Sequence, residues 1–169
     1  MVTAPFISDG VISATLDTLN AASPAEAAAR QGRAGQFQPE LTAFVAVFTL
    51  KQRAAAAGIG LFIMLVLYEA FRASAVKVRK ARERVVLRHW RAAHDHAEAL
   101  REDVNGPMEL LDDLPESSEP AALQYVIEAL TEVTDDGVQL TDDEFWDLFA
   151  VLRAAIETLH EVATVPRPV

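Results

Sequence analysis

Residues 54–84 read "AAAAGIGLFIMLVLYEAFRASAVKVRKARER", and the two halves of this stretch differ in charge. No charged residue occurs from 54 to 68, and residues 59–68 are apolar on every side of a helix. Such a helix is buried in a large protein core or in lipid. The other helices of a 169-residue chain are small and amphipathic, and they enclose a fully apolar helix with difficulty. The stretch therefore favours a membrane.

The apolar run is short for a helix that crosses a membrane. Fifteen residues of helix rise roughly 22 Å, which is short of the ~30 Å hydrocarbon layer. Lys51 and Arg53 can extend their charges outward, so that the helix continues into 41–50, and Ala70 and Phe71 lengthen it beyond Glu69. We therefore predict a membrane anchor formed by Ile59, Leu61, Phe62, Ile63, Leu65, Val66, Leu67 and Tyr68.

The charges that flank the apolar run are strongly asymmetric. Eight Lys or Arg and one acid, Glu83, follow it between 72 and 91, whereas Lys51 and Arg53 precede it. Cytoplasmic flanks carry the excess of Lys and Arg, so the C-terminal part is expected in the cytoplasm. We predict that lipid headgroups or an acidic partner bind Arg72, Lys77, Arg79, Lys80, Arg82, Arg84, Arg88 and Arg91.

The positions of Pro and Gly divide the chain into helical segments, and this pattern predicts an all-α fold. We expect short helices in 1–38, one of them opened by a capping box at Ser23, and one long helix or a helix pair over 39–103. An acidic helical domain over 104–163 and an extended tail over 164–169 complete the prediction.

The acidic domain contains the clearest helical signals. From 102 to 161 the chain has seventeen acids and one base, Arg153. Residues 123–130 carry an apolar stripe, and Thr141 with Glu144 forms a capping box for the last helix. The helix-packing residues that we predict there are Phe145, Phe149, Leu152 and Ile156.

The chemical motifs of the sequence are incomplete. Residues 89–98 contain His89, His94, His96 and Glu98, but two ligands at helical spacing do not fill a tetrahedral metal site. The segment 132–144 resembles an EF-hand loop only superficially, because neither register supplies the required oxygens and glycine. We therefore expect no metal and no cofactor.

The basic segment over 72–91 is not expected to bind nucleic acid. Its charge suits phosphates and Trp90 could stack on a base, but the acidic region would repel the polymer. The sequence has no phosphate-binding glycine loop, no nucleophile elbow and no Cys, and these features indicate a protein that is not an enzyme.

Two functions are consistent with these patterns. The first is a membrane-anchored accessory or adaptor subunit, with an acidic cytoplasmic domain that binds other protein subunits. The second is a soluble all-helical structural protein of a phage particle or another oligomeric assembly, located in the virion or cytoplasm. In the second case the apolar helix is buried between copies, and the basic and acidic regions of neighbouring subunits attract each other, so a homo-oligomer is left open. The preference for Arg and Ala is typical of a GC-rich bacterial or phage genome.

Overall fold

The computed structural model describes residues 4–164 and confirms the all-α fold. Its described part contains eight helices and two strands of two residues each. The helices are α1 (Asp9–Asn20), α2 (Pro24–Phe37), α3 (Pro39–Thr49), α4 (Ala54–Ser74), α5 (Glu83–Asp103), α6 (Glu109–Asp112), α7 (Pro120–Thr131) and α8 (Asp142–Val162). Strand β1 (Lys77–Val78) pairs antiparallel with β2 (Ala163–Thr164).

Several helices begin where the sequence predicts. The Ser23 hydroxyl accepts a hydrogen bond from the Glu26 amide while the Glu26 carboxylate accepts from the Ser23 amide. Thr141 and Glu144 form the same reciprocal pair at the start of α8. These caps satisfy backbone N–H groups that the first turn leaves without partners.

The segment 39–103 is divided into three helices, rather than forming one long helix or a helix pair. Gly58 and Gly60 lie inside α4. The first break between helices covers residues 50–53, and its last residue, Arg53, has an extended backbone. The second break, at 75–82, is caused by tertiary contacts. The Val76 amide donates to the Thr164 carbonyl, and the Gln38 side chain bonds the Arg79 carbonyl and the Ala81 amide.

Glycines do not mark the ends of α2 and α7. Helix α2 continues through the two glycines of 31–35 to Phe37, because single glycines weaken a helix without ending it. Helix α7 ends at Thr131, and Gly137 instead takes a positive φ of 75° in the following loop. The predicted tail lies almost entirely outside the described residues, apart from Thr164 in β2.

Helix α8 is the centre of the fold. Helix α4 runs parallel to it, because Arg53 at the start of α4 pairs with Glu144, while β1 after α4 pairs with β2 after α8. Helix α5 runs antiparallel, since Arg101 pairs with Asp142 and Asp143. One hydrophobic core draws side chains from all three predicted segments, 1–38, 39–103 and 104–163.

Candidate functional site

The apolar stretch lies largely inside the helical core. Among the predicted anchor residues, Ile63, Leu65, Val66, Leu67 and Tyr68 are buried, and Ile59 and Leu61 are half-buried. Phe62 is the exposed member of the set, with 40% of its surface accessible. Neighbouring helices α1, α2, α3, α7 and α8 surround α4. The apolar side chains of α4 therefore meet protein on most sides.

Gly60 allows α4 and α8 to approach closely. A Cβ atom on Gly60 would lie 2.9 Å from Leu148 Cδ2 and 3.3 Å from Thr49 Cγ2. Real Cβ atoms essentially never come as close as the first distance. This glycine therefore serves packing, whereas Gly58 is exposed and a Cβ there would meet nothing within 4 Å.

Helix α4 also has the dimensions of a membrane span. Within the described residues it is the one helix that is long and apolar enough to cross a bilayer, with a mean hydropathy of 2.0 over its best 18-residue window. Of this 18-residue window, 56% is buried inside the protein. Core helices of water-soluble proteins pass the same length and composition test, so hydropathy by itself does not decide where α4 lies.

An open apolar groove runs between α2, α3 and α4. Its volume is about 360 Å³. The groove is lined by residues that include Ala34, Pro39, Thr42, Leu61, Met64 and Leu65. It contains no buried charged side chain, and its walls are chiefly apolar atoms, so an apolar side chain is the group it suits.

The predicted basic residues gather at one end of the molecule, which we call the basic end: the exposed cations of 72–91 around the β1–β2 pair. All eight predicted cations are exposed. Arg88 pairs with Glu161, and Arg72 lies 4.0 Å from Glu69. No ion pair within residues 4–164 involves the other six, namely Lys77, Arg79, Lys80, Arg82, Arg84 and Arg91.

The opposite end of the molecule is rich in carboxylates, and we call it the acidic end. It consists of the C-terminus of α5, the α7–α8 loop and the first turns of α8. Its acids are Glu102, Asp103, Glu132, Asp135, Asp136, Asp142, Asp143, Glu144 and Asp147. Three cations lie among them, of which Arg53 and Arg101 are paired and Lys51 is exposed without an ion pair in the described part.

Arg53 joins the start of α4 to the start of α8. Its guanidinium donates to both carboxylate oxygens of Glu144, at 2.5 and 2.9 Å, and to the Gln139 carbonyl. The hydrogen bonds from Arg53, together with those from Thr141, lower the pKa of Glu144 from 4.5 to about 2. This contact differs from the sequence-based expectation that Arg53 extends its charge outward.

The four histidines lie in different surroundings. His89 contacts Glu161 at 2.6 Å, and His160 donates to the buried Glu119 at 2.7 Å. His96 Nδ1 accepts from Arg153 at 2.5 Å, and burial followed by the Arg153 charge lowers the pKa of His96. His94 is exposed beside Trp90. Among residues 4–164 no group of three or more His, Cys, Asp or Glu is arranged to hold a metal ion.

Trp90 has a packing role. Its ring centroid lies 5.6 Å from that of Phe44 and 5.0 Å from that of Phe48, so it joins α5 to α3. The predicted packing residues of α8 are also inside: Phe145, Phe149, Leu152 and Ile156 are all at most 2% exposed.

Glu119 is a fully buried carboxylate that is not among the residues predicted from the sequence. It accepts hydrogen bonds from the amides of Phe6 and Ile7 as well as from His160. It thereby ties the N-terminal segment to the end of α8. A sequence signal was present, because Glu119 directly precedes Pro120 at the start of α7.

Comparisons of the chain with protein-family models, curated proteins and solved structures find no match.

Proposed function

We propose that this chain is a non-catalytic, water-soluble helical subunit that acts by binding other protein subunits. The observation that carries the proposal is the burial of α4. Val66, Leu67, Ala70 and Phe71 are inaccessible to solvent. A bilayer would also keep these side chains out of water, but moving α4 into it would expose to water the apolar faces of α1, α3, α7 and α8 that pack on it. That exposure costs about 25 cal/mol per Å². The proposal keeps the soluble assembly subunit of the second function that the sequence suggests, but α4 is buried inside one chain instead of between copies.

The non-catalytic part of the proposal is supported by the buried charged side chains. Glu119 is occupied by two backbone amides and His160, and Glu144 by Arg53 and its capping box. Arg153 donates to His96 and to the Glu116 carbonyl. Each of these buried charged groups therefore has hydrogen-bond partners within the fold, which is what a structural role requires.

A membrane-anchored subunit is the second candidate function. Its support is the length and hydropathy of α4, the exposed Phe62, and the cations that follow the helix directly. In this alternative α4 leaves the core and spans the bilayer, the basic end contacts headgroups, and the acidic domain binds partners in the cytoplasm.

Cell fractionation separates the two candidates. We expect the chain in the fraction obtained without detergent, folded by circular dichroism. A chain that stays with membranes through carbonate and high-salt washes, and dissolves only in detergent, would reject the proposal in favour of the anchor. A matched Phe62→Ser variant sharpens the test, because it lowers affinity for lipid and leaves the buried face of α4 unchanged.

A further inference from the structure

The two ends of the molecule carry opposite charges, and they are separated by the length of α8. A helix of 21 residues spans roughly 30 Å. At one end α8 begins among the acids of its own first turn, the end of α5 and the α7–α8 loop. At the other end, β2 follows α8 and pairs with β1 inside the basic segment. The acidic and basic charges are therefore separated along the axis of α8.

Compensation of helix dipoles explains part of this arrangement. Acids at the start of α8 and Arg72 in the last turn of α4 suit the partial charges of those helix ends. It does not explain Lys77, Arg79 and Lys80, which lie between helices. Nor does it explain Asp135 and Asp136, which lie in a loop. These charges are exposed and form no ion pair within residues 4–164.

Both ends also expose apolar side chains. At the basic end, Phe37 and Val76 are 48% and 65% exposed and flank a pocket of about 300 Å³. At the acidic end, Leu50 is 82% exposed beside Arg53, and Val133 is 53% exposed in the loop before Asp135. An apolar centre within a charged rim is the usual composition of a protein–protein interface.

We propose that the basic end of one copy of this chain binds the acidic end of a second copy. Leu50 or Val133 of one copy packs against the exposed side chains of Phe37 and Val76 of the next, and the surrounding charges pair. The contact joins different surfaces of identical chains, so it repeats to give a ring or a filament. This inference rests on the proposed function, because it requires a folded chain outside the membrane.

The choice of a second copy follows from charge complementarity. The net charge of −10 opposes association at long range, but screening limits that repulsion to about 8 Å at physiological ionic strength. Opposite charges at the contact act within this distance, and they fix the register of the two copies. A standard interface takes about 800 Å² from each partner, a modest part of the 9448 Å² that one described chain exposes.

Sedimentation velocity on the full chain tests the inference. We expect association that rises with protein concentration at about 0.1 M salt and falls at about 1 M, where screening reaches the contact itself. Lys80→Glu weakens it about tenfold, because it places like charges together at the interface. Lys51→Glu makes the same change of charge at the acidic end, where the new acid faces the cations of the next copy, so it does not weaken the association. Leu50→Ser, at an exposed position, weakens it without unfolding the chain.

A charge-exchange pair gives the sharpest result. The triple variant Lys77→Glu, Lys80→Glu and Arg84→Glu has acids at both ends, while Glu132→Lys, Asp135→Lys and Asp136→Lys has cations at both ends. Each variant stays monomeric alone, and a mixture of the two associates. A wild type that is monomeric at every concentration would overturn the inference, as would equal effects of Lys80→Glu and Lys51→Glu, or a mixture that does not associate.

Phosphate-bearing partners are separate outcomes of the test. Binding of the monomeric wild type to duplex DNA, or to phosphatidylserine vesicles, with loss of binding in Lys80→Glu, would assign the basic end to phosphate and overturn the inference. A chain that dissolves without detergent yet never self-associates contradicts this inference alone. A chain that dissolves only in detergent contradicts the proposed function instead.

Discussion

Helices α4 and α8 have the same length of 21 residues but opposite compositions. Helix α4 has no charge over its first fifteen residues, whereas α8 carries seven acidic or Arg side chains. Yet the more polar helix is the more buried one: fifteen residues of α8 are buried, against ten residues of α4. Helix α8 is enclosed because its neighbours supply partners for its charges, Arg53 for Glu144 and His96 for Arg153. Burial thus depends on where a helix lies among the others as well as on how apolar it is.

The largest expected effect comes from truncating the centre of α8. Phe149 is fully buried and packs against Phe145 and Trp146. Phe149→Ala should lower the free energy of unfolding by about 3–5 kcal/mol, because it leaves a cavity in the core. On α4, Phe62→Ala should change it by about 0.5 kcal/mol or less, since Phe62 is exposed. Urea denaturation measures both, and similar losses would contradict the central position of α8.

The second expected effect concerns the buried carboxylate that holds the N-terminal segment to α8. Glu119→Gln replaces one acceptor oxygen by a donor that faces a backbone N–H, and we expect a loss of about 2–3 kcal/mol. Glu116→Gln, at an exposed side chain, is the matched control and should change little. Hydrogen exchange at Phe6 and Ile7 should accelerate in the first variant only. Unchanged exchange there would show that Glu119 does not hold the segment.

A glycine pair on α4 tests its contact with α8. Gly60→Ala forces Leu148 to move and should destabilise the protein by about 1–2 kcal/mol, since overpacking outweighs the gain in helix propensity. Gly58→Ala meets nothing and should stabilise by up to about 1 kcal/mol. Thermal unfolding compares the two. If both substitutions stabilise the protein, then α4 and α8 do not approach each other closely at Gly60.

The smallest expected effect is a dependence of stability on pH at the junction of α4 and α8. The pKa of Glu144 falls from 4.5 to about 2 in the folded protein, so the folded state holds this proton less tightly than the unfolded state. The stabilisation is present above pH 4.5 and is lost as the pH falls towards 2.

Arg53→Gln isolates this contribution. The variant should melt at a lower temperature than the wild type at neutral pH, and the difference should shrink on acidification through that range. Arg91→Gln, at an exposed position without an ion pair among residues 4–164, is the control. A difference between Arg53→Gln and wild type that is independent of pH would show that the Glu144 contact is not its cause.

Local signals predicted local structure well. The capping boxes at Ser23 and Thr141 need only neighbours within three residues, and the stripe over 123–130 needs only helical periodicity. The breaks at 50–53 and 75–82 depend on Glu144, Gln38 and Thr164, which are distant in sequence. The basic run could be identified from sequence, but its position opposite the acids depends on the directions of α4, α5 and α8.

Hydrogen exchange of the full chain in detergent-free buffer tests the central claim, that α4 is a core helix of a self-contained fold. The account predicts that amides of 63–71 in α4 exchange as slowly as those of 148–156 in α8, because both open only with the whole core. Fast exchange across 63–71 while α8 stays protected, or a chain that folds only when lipid or detergent is added, would contradict it.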